Sequence, residues 1–95
     1  MLRSGNTTPR STRSRRRRLE RLLDRLINEA FECYLAWRSE CAVLEAAYRA
    51  WLQAPRSDAA FAYAAYTAAL DREERAAGRY HTVVNEAEDL LPQAE

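Results

Sequence analysis

The densest chemistry in this 95-residue sequence is a cluster of guanidinium groups near its start. Residues 1–18 hold seven arginines and no acid, and Arg15, Arg16, Arg17 and Arg18 are consecutive. Every basic residue in the chain is arginine. Guanidinium groups at this density neutralise phosphates, with strong salt dependence and little sequence specificity. Arg10, Arg13, Arg15, Arg16, Arg17 and Arg18 are therefore the expected polyanion-binding set. DNA, RNA, an anionic lipid surface or an acidic protein face would each satisfy it.

Two other groups of residues invite a chemical reading. Glu40, Arg72 and Glu73 fall where two apolar stripes meet, and they predict a polar layer that fixes register. The same carboxylates, with Glu32 and the single histidine, His81, suggest a metal or redox site on a helical bundle as an alternative. A di-iron carboxylate site needs Glu three residues before His, and Gly78 stands there. No P-loop, glycine-rich phosphate cradle, zinc-type cluster or nucleophile elbow is present. The expectation is a protein that is not an enzyme, with no cofactor and no metal.

Charge divides the chain. The formal net charge of +1 resolves into +7 over residues 1–18 and −6 over the remainder, where eight arginines meet fourteen acids. The body is acidic and the N-terminal segment basic, so any nucleic-acid contact is expected through the segment alone. Two cysteines, Cys33 and Cys41, lie eight residues apart on one helical pattern. That is about 12 Å along a helix axis, too far for a bridge. Reduced thiols point to a cytoplasmic protein. No apolar run is long enough to cross a membrane. The basic start lacks the apolar core of a secretory signal.

The elements that would carry these residues follow from periodicity. Residues 1–14, with Gly5, Pro9 and small polar side chains, read as a disordered Arg/Ser/Thr-rich tail, with Ser14 as helix N-cap. No Gly or Pro interrupts residues 15–53. Leu19, Leu23, Leu26, Ala30, Cys33 and Trp37 recur by alternate steps of four and three. An extra four-step to Cys41, then Leu44, Tyr48 and Trp51, suggests a coiled-coil seam with a stutter. Pro55 breaks the helix and residues 54–57 make a turn, with Ser57 as cap. A second helix is expected over 58–91, its seam running from Ala62 to Leu90, with Pro92 just beyond its end. No internal repeat is apparent.

The predicted fold is all-α: two long antiparallel helices in a coiled-coil-like hairpin spanning 15–92. One register repeatedly sets large residues against small ones, with Trp51 facing Ala62, Leu44 facing Ala69, Trp37 facing Ala76 and Ala30 facing Val83. Several apolar residues fall off the seam: Leu22, Phe31, Tyr34 and Leu35 on the first helix, Phe61, Tyr63, Leu70 and Val84 on the second. Apolar surface of that extent marks a partner interface. A second copy completing a four-helix bundle is the simplest partner, and another helical protein is the competitor. The function expected is that of an interaction or adaptor protein with an arginine-rich arm. A small nucleic-acid-binding protein acting through that arm is the second reading.

Overall fold

The computed structural model describes residues 9–94, and side chains from residue 12 to residue 92. It is a helical hairpin: α1 spans Pro9–Gln53, and α2 spans Ala59–Ala94 after a single 3-10 turn at Arg56–Asp58. No strand occurs among the described residues. The body is 14 Å across in both short directions, one layer of two helices.

The helices are longer than their sequence signals suggest. α1 begins at Pro9 instead of Arg15, so residues 9–14 of the expected tail belong to the helix, and residues 1–8 lie outside the described residues. Proline is well suited to a first helical turn, where its missing N–H has no intrahelical partner. Ser14 is accordingly inside α1, where its Oγ accepts from Arg18 Nη1 at 3.4 Å. At the other end α2 runs through Pro92 to Ala94. A proline in the last turn forfeits one hydrogen bond to the residue four before it, which a long packed helix can absorb. Between the helices Pro55 holds an extended backbone at φ −61°, ψ 156°. The reversal closes through backbone bonds, Ala54 N–H to Trp51 carbonyl at 3.3 Å and Asp58 N–H to Pro55 carbonyl at 2.8 Å. Ser57 lies within the 3-10 turn, and Pro55 precedes that turn with no side-chain cap bond.

The seam of α1 is more regular than the apolar pattern implies. Half-buried positions continue from Trp37 through Glu40, Leu44, Ala47 and Trp51, keeping the alternation of three and four without a stutter. Tyr48 is 43% exposed. Cys41 is half-buried at the seam's edge. The extra step inferred from sequence came from excluding a carboxylate from the seam. Glu40 is tolerated there because Arg72 reaches it from α2. α2 supplies the matching series Ala59, Ala62, Tyr66, Ala69, Glu73, Ala76, Tyr80, Val83, Ala87 and Leu90, all buried or half-buried.

Burial is meagre. Among the described residues only Ala69 (1%), Ala76 (2%) and Val83 (6%) are buried hydrophobics. All three lie on α2, the two alanines opposite the larger Leu44 and Trp37 of α1, so helix contact is close but the core is thin. The chain exposes 7320 Å². A compact protein of its mass would expose roughly 5600 Å².

Candidate functional surface: an aromatic hairpin side and an arginine-ringed helix end

The two long sides of the hairpin differ in chemistry. Trp37 stacks on Tyr80 with ring centroids 5.7 Å apart and planes at 19°, and Tyr34 sits 5.6 Å from the same Tyr80. Fourteen residues further along α1, and fourteen back along α2, the arrangement recurs. Trp51 stacks on Tyr66 at 5.3 Å and 19°, and Tyr48 lies 5.6 Å from Tyr66. The edge contacts Tyr34–Trp37 (6.2 Å) and Tyr48–Trp51 (6.3 Å) repeat too. In the antiparallel register each tryptophan stands opposite a small residue, Ala76 or Ala62. Tyr63 extends one cluster at 4.9 Å from Trp51, and His81 the other at 6.4 Å from Trp37.

These rings occupy one side of the hairpin. In an antiparallel pair, positions just outside the seam meet like with like, so Tyr34, Cys41 and Tyr48 share a side with Tyr63, Leu70, Ala77 and Val84. The opposite side is the more polar: Glu29, Arg79, Thr82 and Glu86 line a shallow depression there with Cys33, Gly78 and Val83. Of the eight residues expected to form an interface, Phe31, Tyr34, Tyr63, Leu70 and Val84 lie on or beside the aromatic side. Leu22 falls on the polar side, next to Leu26, Glu86, Asp89 and Leu90. Leu35 and Phe61 point outward from the hairpin, and Phe61 is 84% exposed beside the reversal. Ile27 is exposed as well, and Val43, Leu52 and Leu91 are further exposed apolar residues not anticipated from the sequence. Leu52 could have been found, since with Ile27 it continues a second run of three- and four-residue steps one position behind the first.

The polar layer is assembled across the hairpin. Arg72 Nε donates to Glu40 Oε1 at 3.3 Å. Glu73 Oε2 accepts from Trp37 Nε1 at 2.6 Å in a part-buried bond. The two seam carboxylates therefore have separate donors. His81 Nδ1 lies 2.8 Å from the Ala77 carbonyl, one turn back. Among the described residues no three His, Cys, Asp or Glu side chains are grouped to hold a metal ion. Cys33 and Cys41 are both free thiols.

At the far end α1 outruns α2. The register that sets Trp37 over Ala76 brings Ala94 level with Leu19, so residues 9–18 have no α2 residue opposite them among the described residues. Arg13, Arg15, Arg16, Arg17 and Arg18 are all exposed, and Arg10 lies in the first turn. Since each residue turns the helix by about 100°, four consecutive arginines surround the rod. Arg15 to Arg18 stand well inside the helix, not in its first turn as the sequence suggested. The opposition from the helix dipole is correspondingly weaker, because it fades within one turn.

Comparison with known proteins gives no match: no family model, no curated protein and no solved structure resembles the chain. No helix among the described residues is long and apolar enough to cross a membrane.

Proposed function

We propose that this chain is a non-enzymatic helical-hairpin interaction protein that self-associates or docks a helical partner through its aromatic side, and contacts a polyanion through its arginine-rich arm. The observation that supports this best is the inversion of burial. Among the described residues the buried hydrophobics are two alanines and a valine, while Phe31 is 61% and Leu52 63% exposed. A large apolar surface outside so thin a core is stabilised when another helical face covers it. Light scattering of the purified full chain tests the proposal. A concentration-dependent dimer or larger species supports it. A stable monomer at all concentrations, with cooperative unfolding and no binding of an apolar dye, refutes self-association.

The arm favours a second reading, a nucleic-acid-binding protein in which the hairpin serves to pair basic arms. Exposed arginines around a helix end, with no α2 residue opposite them among the described residues, support it. It predicts binding of generic DNA or RNA duplexes at low salt that is lost when residues 1–18 are removed. Equal binding by the truncated chain would eliminate it.

A further inference from the structure

We infer that α1 carries a self-complementary stripe that pairs antiparallel with the same stripe of a second copy, about a two-fold axis beside Cys41. The inference rests on the self-association proposed above and specifies its geometry.

The stripe lies one residue behind the seam and shares its steps of three and four. Its midpoint is Cys41, half-buried in a shallow groove with Leu44, Glu45, Tyr48 and Tyr66. Moving outward from Cys41, the residues match in pairs. The first pair is Arg38 and Glu45, opposite charges. The second is Tyr34 and Tyr48, identical side chains with equivalent settings in the two aromatic clusters. The third is Phe31 and Leu52, both large, apolar and more than 60% exposed.

A two-fold axis turns such a palindrome into an interface, because each residue meets its own counterpart from the other copy. Arg38 would meet Glu45 of the second copy twice, once on each side of the axis. Helical side chains lean toward their N-termini, so in antiparallel helices these two lean toward each other. A parallel pairing would set Arg38 against Arg38 and Glu45 against Glu45, which like charges oppose.

The state of the two charges supports this occupant. Among the described residues Arg38 has no ion-pair partner, although it stands between Tyr34 and Cys41 in an apolar stripe. Glu45 Oε1 pairs with Arg49 Nη2 at 2.8 Å, but both side chains are about two-thirds exposed. An exposed pair one turn apart holds weakly, and its second carboxylate oxygen remains to accept. Cys33, by contrast, lies on the polar side with Glu29 and Arg79.

The test uses the full-length chain in two single-cysteine forms, C33A and C41A, treated with a short bismaleimide. Cross-linked dimer from C33A, which keeps Cys41, and none from C41A is the expected result. In parallel, Arg38→Glu and Glu45→Arg should each weaken the dimer about tenfold in Kd, and the double exchange should restore it. Circular dichroism checks that each variant remains helical, and the two single exchanges stand in for each other if one fails to fold. A dimer by light scattering with no Cys41 cross-link and no rescue overturns the two-fold but leaves self-association standing. A monomer throughout overturns both.

Discussion

Trp37 and Glu73 are joined across the hairpin by a 2.6 Å hydrogen bond from the indole Nε1 to carboxylate Oε2. Trp51 occupies the equivalent place in the second aromatic cluster with the same stacking angle. The residue corresponding to Glu73, fourteen positions back on α2, is Ala59. One tryptophan is thus tied by packing and a charge-assisted bond, the other by packing alone.

The difference predicts unequal costs for the same substitution. Trp37→Phe and Trp51→Phe lose similar ring area, but only the first loses the bond. Trp37→Phe should therefore cost about 1.5–3 kcal/mol more, the contribution of a hydrogen bond to a charged group. The excess should vanish in a Glu73→Ala background. Urea unfolding at one fixed protein concentration measures both. Equal costs in the parent chain would show that the bond contributes nothing.

Gly78 is a second site where the outcome has a definite sign. A Cβ built there meets nothing within 4 Å. The space beside this glycine is open and holds neither Trp37 nor Leu35. Gly78→Ala should stabilise the hairpin by about 0.5–1 kcal/mol, through the lower helix propensity of glycine. An unchanged or lowered midpoint in thermal unfolding would mean that something else occupies that space.

The hairpin itself was legible because its seam alternates steadily and Pro55 is its only interior break. The ends were not, because a proline is a stop signal in sequence yet fits a first or last turn, as Pro9 and Pro92 both do. Glu40 was the other obstacle. A charged residue in a seam looks like a phase shift until Arg72 is seen beside it. The repeated clusters were present in the sequence as Tyr34-Leu35-Ala36-Trp37 and Tyr48-Arg49-Ala50-Trp51, two heptads apart. Their counterparts Tyr80 and Tyr66 run in the opposite order along α2, so the repeat is a property of the folded pair. Which side of the hairpin is apolar follows from positions flanking both seams, and it emerges only when the two helices are placed antiparallel.

Glu40 also yields a test of what the polar layer is for. Its bond to Arg72 is partly exposed and should contribute less than about 1 kcal/mol, so Arg72→Ala should be mild. Glu40→Leu fills a seam position with a hydrophobe and should leave stability unchanged or raise it. A loss of more than about 2 kcal/mol in either variant, by chemical unfolding, would contradict the reading of this layer as a register device rather than a main support.

Replacing Arg15, Arg16, Arg17 and Arg18 by glutamine separates the arm from the body. Each phosphate contact contributes about 0.9 to the slope of log affinity against log salt for duplex DNA. The fourfold variant should therefore lose up to about 3–4 from that slope if all four arginines touch phosphate. Hairpin stability should not fall, because like charges crowded on one helix repel. A salt titration beside circular dichroism checks both, and an unchanged slope would place the phosphate contacts elsewhere.

α1 runs unbroken from Pro9 to Gln53, so the arm has a rotational phase as well as a length. The compass direction of each exposed arginine is locked to that of Trp37, since both ride on one screw. Inserting a single alanine between Arg18 and Leu19 would swing the whole arm by about 100° and advance it by only about 1.5 Å. The composition of the arm, its charge and the hairpin below would all be preserved. A partner that senses charge alone would not notice, whereas one that reads the arrangement of the guanidinium groups would find them misaimed.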